Sequence, residues 1–539
     1  MQGVQLDQVG AGTSRASTRA SQNRDTAYAL NYHEATKHSE ISLRTSGHYL
    51  DWASKPSQFK IYQDLASIAL PRNFPQPEAE PLNSISGQSL RTQTPNFGLA
   101  ELAELLYFSA GLTRKYRFGG ELHYMRAASA TGALYPIELY VVAGDITGLE
   151  AGVYHFDPLD FQLSRIRKGD YRAELAVVSN DSVAKAPATI GFTSLAWKNA
   201  WKYEARSYRH WFWDGGVIAA NLLAAASSIG LPTKIVHGFV DQTVNELFGL
   251  QDGKEASIFL SSVGLRRPAS TDHSLKEIDP ILLNVRPLSI DETEYAGMWE
   301  THRASFLQNK EEVDRWTNAR PAQLHLPETT SPMIPLPPPM ADAASSRKLA
   351  EVILKRGSTR RFARSPIAFS QLSTILRTST GPIPRDYFPD GGSLIETYIV
   401  VNAVQGLDAG SYFYSAEQES LEQLKRGEFR QMSAYLCLGQ PLFGEASVVL
   451  FLMTHLRDVL ATLGNRGYRA AQLEGGIVAG RIYLSAYSLD LGASGSTFYD
   501  DAVTEFFSPH SKEKSTMIAV GLGVPAYKAK PGKVLPQFT

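Results

Sequence analysis

The segment KRGSTRRF, at residues 355–362, concentrates groups that could bind an anion. Within it, Arg356, Ser358 and Arg360 alternate along the chain, so an extended backbone would place all three side chains on one face. Guanidinium groups form bidentate charge-assisted hydrogen bonds with anionic oxygens, and a serine hydroxyl adds a further donor. The pattern is typical of a site for phosphate or another anion. A solvated basic turn before the next helix is the alternative interpretation.

A second candidate is the segment MRAASATGALYPIELY at residues 125–140, in which small residues separate Arg126 from a predicted strand. A turn without bulky side chains lets a planar ligand come close to the main chain. We therefore expect a ligand-binding loop here, with a tight loop entering a core strand as the alternative.

Lys202 and Tyr203 are adjacent in the aromatic segment WKNAWKYEARSYR at residues 197–209. A lysine or tyrosine in an apolar cleft can transfer a proton, because its surroundings shift its pKa. Such pairs are also common on protein surfaces. A similar segment later in the chain, ATLGNRGYR, has Leu463 and Gly464 at this place, so the pair is found in one copy and not in the other.

Two small-residue turns each follow a predicted long helix: TKIVHGFVD at residues 233–241 and ASGSTFYDD at residues 493–501. A turn of this kind can direct a backbone N–H at a bound ligand. An ordinary connection from helix to strand is the alternative.

The predicted strands and helices that must position these residues occur in two similar copies along the chain. The segment IELYVVAGDITGLEAGVYHF at residues 137–156 matches IETYIVVNAVQGLDAGSYFY at residues 395–414, and the apolar alternation broken by glycine predicts a β-hairpin in each. Residues 206–231 match residues 466–491, and both stretches predict long buried helices. Throughout the repeat the offset stays between 257 and 260, which predicts two halves of one fold. Hairpins mixed irregularly with helices predict an α+β fold with antiparallel or mixed sheets flanked by helices.

Composition shifts divide the chain further. The stretch at residues 324–346 is dense in proline, which fixes φ and lacks an N–H, so we expect an extended connector there. The predicted units are a disordered tail (1–30), a segment packing on the first domain (31–90), the first domain (91–315), a proline-rich linker (316–345) and the second domain (346–539).

The overall composition restricts the function classes. A chain of 539 residues with 43% apolar residues and a net charge of −1 favours a soluble protein and disfavours nucleic-acid binding. The single cysteine, Cys437, excludes an intrachain disulfide and a cysteine-rich zinc site, and the histidines lack metal-ligand spacing. The sequence has neither a signal peptide nor an apolar run of about 18 residues, so we expect a cytoplasmic protein without metal or membrane association.

Taken together, these segments resemble the nitroreductase superfamily. RGSTRRF resembles its FMN-binding signature, and ATGALYPIELYVV, GLEAGVYHFDP, KGDYR and KYEARSYR resemble the SagB/ThcOx-type branch, the azoline dehydrogenases of peptide maturation. NYHEATKHSEIS and HYLDWASKPSQFKIY resemble the leader segment of that branch. The similarity covers residues 31–268 and residues 346–539.

Members of that family are dimers with FMN at the interface, so the resemblance implies that the duplication fuses a dimer into one chain, an intrachain pseudo-dimer. FMN would then contact both halves. The implied cofactor-binding residues are Arg356, Ser358, Arg360, Gly495, Ser496 and Thr497 of the second half and Arg126, Ser129, Ala130, Thr131 and Gly132 of the first half. Lys202 and Tyr203 are the implied catalytic residues.

Each half lacks a part that the other keeps. The first half has no counterpart of the Arg-x-Ser-x-Arg set, and the second half replaces the GALYP loop by the shorter YFPDGG. We therefore expect one FMN per chain. Where the family has Pro-Ser, this chain has Ser129 and Ala130, so one flavin contact would be lost or supplied by Ser129 or Thr131.

The function implied by the resemblance is FMN-dependent oxidation of azolines to azoles in peptide natural-product maturation. Lys202 or Tyr203 would act as the base, with a lowered pKa. One alternative is a nitro or quinone reductase that uses NAD(P)H, and another is a flavin-poor scaffold that binds peptides in a biosynthetic complex. The substrate would be a small molecule or a peptide, and biosynthetic partner enzymes are compatible with this function.

Overall fold

The computed structural model describes residues 22–87, 96–264, 276–320, 331–340, 347–388 and 392–533. In these ranges no helix is both long and apolar enough to cross a membrane. The first half of the chain ends near residue 320, and the described part of the second half begins at residue 331.

The α-helices are numbered along the described chain. Those of the first half are α1 (Ala27–Ala35), α2 (Glu40–Thr45), α3 (Pro81–Ile85), α4 (Leu99–Ala110), α5 (Arg172–Val177), α6 (Asp181–Lys185), α7 (Ala196–Tyr203), α8 (Ser207–Ser228), α9 (Asp241–Phe248), α10 (Ala296–Ala304) and α11 (Lys310–Thr317). Those of the second half are α12 (Leu349–Lys355), α13 (Phe369–Ser379), α14 (Arg430–Leu436), α15 (Pro441–Glu445), α16 (Leu456–Leu463), α17 (Asn465–Ser488) and α18 (Asp500–Phe507). Short 3-10 turns lie at Gln22–Arg24, Thr131–Ala133 and Glu204–Arg206.

The strands are numbered in the same way. Those of the first half are β1 (Ser67–Ala69), β2 (Leu112–Phe118), β3 (Glu121–Arg126), β4 (Ile137–Ala143), β5 (Gly152–Asp157), β6 (Gln162–Lys168), β7 (Ala188–Leu195), β8 (Thr233–Val236) and β9 (Glu255–Val263). Those of the second half are β10 (Met333–Pro335), β11 (Ile367–Ala368), β12 (Glu396–Val401), β13 (Val404–Gln405), β14 (Gly410–Ser415), β15 (Ser420–Arg426), β16 (Val448–Thr454), β17 (Gly492–Ser496) and β18 (Ser515–Gly523).

Each half builds one seven-stranded antiparallel sheet in the described residues, and the two sheets have the same strand order. The first runs β1-β6-β5-β4-β7-β9-β8, and the second runs β10-β15-β14-β12-β16-β18-β17. Both predicted hairpins form, and their registers match: Val141 pairs with Tyr154 in the first, and Ile399 pairs with Tyr412 in the second. The predicted α+β class with two similar halves is confirmed. Strand β4 is buried along its whole length, as expected for a central strand covered on both faces.

The two halves meet along α8 and α17, which are buried over almost their whole length. A Cβ atom added to Gly216 of α8 would lie 2.7 Å from the Cα of Gly476 in α17, so the helices cross where neither has a side chain. Next to this crossing, the Trp213 indole donates to Gln472 Oε1 at 2.5 Å. The two glycines hold matching positions in the repeat, so each half contributes the same surface to the contact.

Two segments outside the two predicted domains pack against the second domain: the N-terminal residues 22–30 and strand β10. Residues 22–30, part of the predicted tail, include a helix that contacts the second half: Asn23 Nδ2 donates to the Leu463 carbonyl at 3.3 Å, and the Ala29 N–H donates to Asn465 Oδ1 at 3.0 Å. Residues 1–21 of that tail lie outside the described residues. Within the predicted proline-rich linker, β10 forms the edge strand of the second sheet, a position that tolerates proline.

Candidate functional site

The loop between β3 and β4, residues 127–136, lies where the two halves meet. Its backbone is left-handed at Gly132 (φ 63°), at Ala133 (φ 56°) and at Tyr135 (φ 50°), which is unfavourable for the two residues with side chains. The loop is held by Asp214 of α8, whose Oδ1 accepts hydrogen bonds from the Thr131 N–H at 2.8 Å and from the Thr131 hydroxyl at 2.7 Å.

Arg126 enters this loop with unsatisfied donors. Its side chain is buried, and Nη1 donates to the Ile137 carbonyl at 3.4 Å. Its Nε and Nη2 atoms have no hydrogen-bond partner among the described residues. Together with Ser129, Ala130 and Asp214, Arg126 lines a cavity of about 10 Å³, room for about one water molecule. Buried guanidinium donors without partners favour an acceptor at this place.

The predicted anion-binding residues of the second half approach this loop but do not share one role. Arg356 is buried, and its Nη2 donates to the carbonyl oxygens of Arg126 at 3.0 Å and Ala127 at 2.8 Å, so it joins the halves. Ser358 Oγ lies 3.3 Å from the Tyr483 hydroxyl. Arg360 is exposed, and its guanidinium has no hydrogen bond or ion pair within the described part of the chain. Arg360 is therefore the member of the set that is available to a ligand.

The turn at residues 495–497 closes the other side of the same region. The Gly495 N–H donates to the Tyr483 hydroxyl at 2.5 Å, so Tyr483 links this turn to Ser358. Thr497 Oγ1 accepts from Nη2 of Arg206 in the first half at 2.9 Å, and Ser496 Oγ donates to the Thr497 carbonyl at 2.7 Å. We call the region made up of residues 356–360 and 495–497 of the second half and the loop at residues 127–136 of the first half the open seam.

Lys202 and Tyr203 end helix α7 beside the open seam. A Cβ atom added to Gly132 would lie 2.7 Å from the Tyr203 hydroxyl, so that hydroxyl rests directly against the loop. The Tyr203 ring packs edge-on against His210 at 4.7 Å, and Lys202 Nζ lies 5.4 Å from the Tyr203 ring centre. The structure thus brings the predicted catalytic pair next to the predicted ligand loop.

The pKa of Tyr203 moves opposite to our expectation. Burial raises it, the Asp214 carboxylate raises it further, and Arg360 opposes both, leaving the pKa well above its ordinary value. The predicted lowering is therefore wrong for Tyr203, because desolvation disfavours the phenolate. Its hydroxyl stays neutral and can donate a hydrogen bond or a proton.

The register of the repeat also needs a correction at this point. Helix α7 ends at Tyr203 and is followed by Glu204 with φ 49°, whereas α16 ends at Leu463 and is followed by Gly464 with φ 67°. Leu463, not Gly464, therefore matches Tyr203. The expectation that the second half lacks the pair is unchanged, since Thr462 and Leu463 replace it.

Asp214 was missed by the sequence analysis. Burial raises its pKa to about 7, although hydrogen bonds from Thr131 and Asn199 oppose the rise. The sequence signal that could have identified Asp214 is an acidic residue in the middle of an apolar helix, within the segment WDGG. The matching segment of the second half, LEGG, has Glu474 at the same position. Tyr483 was missed too, and its only signal was that Leu223 stands at the matching position.

The symmetry-related contact is built from the matching elements but is filled by protein groups. Asp386 accepts hydrogen bonds from the backbone N–H groups of His237 and Gly238, each at 2.9 Å. The Ile235 N–H donates to the Pro384 carbonyl at 2.8 Å, so the backbones of the two halves are hydrogen-bonded directly to each other. We call this contact of residues 235–238 with residues 384–388 the closed seam. Its turn N–H groups, which match those at residues 496 and 497, are occupied by the protein itself.

Aromatic side chains complete the closed seam. The Trp316 indole of α11 lies nearly parallel to His237 at 5.6 Å and tilted against Tyr387 at 5.2 Å, and its Nε1 donates to the Leu463 carbonyl at 2.9 Å. Glu474, which matches Asp214, is neutralised by Arg385 Nη1 at 3.3 Å. At the closed seam, protein groups thus pack against one another.

The described residues hold no cluster of three or more His, Cys, Asp or Glu side chains that could bind a metal ion. The Arg360 guanidinium and the Nε and Nη2 atoms of Arg126 are donors that suit a ligand with anionic oxygens at the open seam.

Comparison with known proteins identifies the family to which both halves of the chain are similar. The pattern that defines the nitroreductase family matches residues 99–265 and residues 353–523, which together are more than half of the chain. A protein of Methanocaldococcus jannaschii assigned as a nitroreductase is 33% identical over 164 residues, which are 29% of this chain and 83% of that protein. The trifolitoxin-processing protein of Rhizobium leguminosarum bv. trifolii is 30% identical over 222 residues, which are 38% of this chain and 57% of that protein.

The chain thus spans little more than half the length of the Rhizobium protein. Among solved structures, an Anabaena variabilis protein described as a nitroreductase has a TM-score of 0.73 and 26% sequence identity. That similarity covers 92% of this chain and 99% of the Anabaena chain, so it includes both halves.

Proposed function

Because this chain belongs to the nitroreductase family in both of its halves, we propose that it is an FMN-dependent oxidoreductase with one flavin site per chain. The site is the open seam, where parts of both halves meet. In this proposal the two halves act as a pseudo-dimer in which one of two symmetry-related sites is kept.

The observation that carries the proposal is the difference between the two seams. In the open seam, Arg360 has a free guanidinium and Arg126 has buried donors without partners in the described residues. In the closed seam, Asp386 caps the turn and Trp316 fills the space beside it. The same fold therefore offers ligand-binding groups at one place and satisfies them internally at the other.

The residues of the open seam fit FMN. Arg360 and Ser358 would bind anionic or carbonyl oxygens of the cofactor, and the N–H groups of Ser496 and Thr497 would be available to it. In this proposal Arg356 holds the loop of the first half to the second half, which its hydrogen bonds to two carbonyl oxygens support. When bound, FMN would supply hydride transfer, which no side chain of the protein can provide.

The proton chemistry is assigned to Lys202 and Tyr203. The neutral Tyr203 hydroxyl, held against Gly132, can donate a proton or orient a substrate. Lys202 is partly exposed beside it and can exchange protons with solvent, so it is our candidate for the base. The two side chains lie on the first-half side of the site, opposite the groups of the second half.

For the reaction we favour oxidation of azolines to azoles in peptide maturation, together with biosynthetic partner enzymes. Two observations support it: the segments that resemble azoline dehydrogenases, and the 30% identity with the trifolitoxin-processing protein. The second candidate is a nitro or quinone reductase that uses NAD(P)H, favoured by the similarity to the Methanocaldococcus and Anabaena nitroreductases.

Counting the flavin tests the proposal directly. We expect purified protein reconstituted with FMN to bind one equivalent per chain, and Arg360→Ala to weaken binding about tenfold or more, the effect of losing a charge-assisted hydrogen bond. Arg361→Ala, which changes the neighbouring exposed arginine, is the matched control and should bind normally. Two equivalents per chain, or none, would overturn the proposal. Fast NAD(P)H oxidation with menadione would favour the reductase over the azoline dehydrogenase.

A further inference from the structure

Asp214 connects helix α8 to the loop of the open seam. One of its oxygens, Oδ1, accepts both the N–H and the hydroxyl of Thr131, at 2.8 and 2.7 Å. The other, Oδ2, accepts from Asn199 Nδ2 at 3.3 Å. The carboxyl group is buried, and no cation forms an ion pair with it in the described part of the chain. Its hydrogen-bond partners are thus neutral donors from a loop and from helix α7.

The matching carboxylate in the other half makes the same kind of contact. Glu474 Oε2 accepts from the Leu394 N–H at 3.0 Å, and Oε1 accepts from the Tyr387 hydroxyl at 3.0 Å. In both halves, therefore, an acidic residue in the middle of the long helix holds the backbone that leads into the central strand. Only Glu474 is also paired with an arginine, Arg385.

The loop needs such an anchor because it is strained. Two non-glycine residues, Ala133 and Tyr135, have positive φ, and backbone in this region persists only where the surroundings fix it. Thr131 lies immediately before this stretch, and both of its donors point to Asp214. Releasing Thr131 would allow residues 129–135 to relax to more favourable backbone angles.

We propose that Asp214 is a positioning residue, which holds the loop at residues 129–133 in its ligand-ready shape through Thr131. The inference rests on the proposed function in one respect: the loop is taken to cover the flavin. Asp214 acts on the cofactor through the loop and not by contact, so its loss should weaken FMN binding although Arg360 and Ser358 remain in place.

The contact does not require the charge. An amide oxygen at position 214 can accept the same two hydrogen bonds from Thr131. The amide nitrogen could then donate to Asn199 Oδ1, which has no partner in the described residues, once the Asn199 side chain is turned over. Asp214→Asn should therefore keep the loop in place, whereas Asp214→Ala should release it.

Hydrogen exchange of the flavin-free protein tests the anchor without any cofactor. We expect the Thr131 amide, in the peptide covering residues 127–136, to exchange about tenfold faster in Asp214→Ala than in the wild type, since one backbone hydrogen bond is lost. Asp214→Asn should exchange within about threefold of the wild type. Unchanged exchange in Asp214→Ala, or equal acceleration in both variants, would overturn the proposal.

FMN titration tests the consequence for binding. Asp214→Ala should weaken FMN binding about tenfold, and Thr131→Val, which removes the hydroxyl donor and keeps the N–H, about threefold. If Asp214→Ala does not fold, Thr131→Val decides the question, and wild-type affinity in that variant would count against the anchor. Asp386→Asn in the closed seam is the control, with lower thermal stability but unchanged FMN affinity. A wild-type protein that binds no FMN would overturn the proposed function, while hydrogen exchange would still decide the role of Asp214.

Discussion

Asp241 and Asp500 occupy matching positions in the two halves, and each carboxylate forms ion pairs with two arginines of the opposite half. We call each of these groups of one aspartate and two arginines a clasp. Asp241 Oδ2 lies 2.5 Å from Arg466 Nη1, and its Oδ1 lies 2.7 Å from Arg469 Nη1. All three side chains are fully buried. A first-half carboxylate is therefore neutralised only by packing against the second half.

The reverse contact is built from the same positions. Asp500 Oδ2 lies 2.9 Å from Arg206 Nη1, and its Oδ1 lies 2.7 Å from Arg209 Nη1. Reciprocal contacts between equivalent residues are the pattern of a twofold interface. The two clasps differ in their neighbours, since Arg206 also binds Thr497 in the open seam.

We predict that Asp241→Asn and Asp500→Asn each lower the free energy of unfolding by about 3–5 kcal/mol, because each leaves two buried arginines without a full counter-charge. Chemical denaturation measures this loss. FMN affinity should separate the variants: Asp500→Asn should lower it, because Arg206 is freed from its place beside Thr497, whereas Asp241→Asn should not. Equal loss of FMN in both variants would contradict the assignment of the open seam.

The Asp500 clasp should also make the protein sensitive to acid. Burial alone would raise the pKa of Asp500, but Arg206 and Arg209 hold it well below the usual value. A depressed pKa means that the stabilisation is present above the unfolded-state value of 3.8 and is lost as the pH falls below it. Unfolding measured between pH 6 and pH 3 should therefore show a steeper loss of stability in the wild type than in Asp500→Asn. Parallel curves would show that the clasp carries no proton linkage.

The crossing of the two long helices gives a steric prediction. Gly216→Ala would place a Cβ atom 2.7 Å from the backbone of Gly476, in a helix that cannot move without shifting its own half. We expect a loss of about 1–3 kcal/mol in stability, typical of overpacking. Gly297→Ala is the control, because a Cβ atom there meets nothing within 4 Å. An unchanged melting temperature for Gly216→Ala would mean that the crossing of α8 and α17 has room for a methyl group.

The local elements of this fold were predictable because their signals are short-range. Strands β4 and β5 alternate and turn within 21 residues, and the repeat of that pattern at β12 and β14 was visible without any contact information. The clasps were not predictable. Asp241 and Arg466 are separated by 225 positions, and neither local sequence indicates which residue the other one contacts.

The candidate site shows the same limit. Arg356 was predicted to bind a phosphate because of its spacing, and the structure places it against main-chain carbonyl oxygens of the first half. Trp316 lies outside both repeats, so the filling of the closed seam by its indole had no signal in the alignment of the halves. What the sequence did indicate was unequal halves: Lys202 and Tyr203 in one, and the arginine set in the other.

We predict that Lys202→Ala keeps FMN bound but slows turnover more than tenfold, within the range ascribed to proton transfer. Tyr203→Phe should also bind FMN, since it keeps the ring against His210, and should slow turnover by removing a neutral donor. Absorbance measures the bound flavin, and steady-state kinetics with the chosen electron acceptor measure turnover. Lys185→Ala, on the exposed end of α6, is the control. Wild-type turnover in Lys202→Ala would remove its assigned role.

The last prediction concerns the pH dependence of the Asp214 anchor. Burial raises the pKa of Asp214 from 3.8 to about 7, so between these values the folded protein holds a proton that the unfolded chain releases. A raised carboxyl pKa favours folding at low pH, and the advantage is lost as the pH rises towards 7, where the buried carboxylate must form. Among the described residues, Arg126 and Tyr135 are the other ionisable groups that line the same cavity, and Tyr203 interacts with Asp214 electrostatically. Asparagine does not titrate, so the free energy of unfolding of Asp214→Asn should gain about 2–3 kcal/mol relative to the wild type between pH 5 and pH 8.

Urea unfolding at both pH values measures the gain, with exposed Asp181→Asn as the control. A difference independent of pH, or one that grows towards acid, would show that Asp214 is ionised throughout and that its anchor depends on charge.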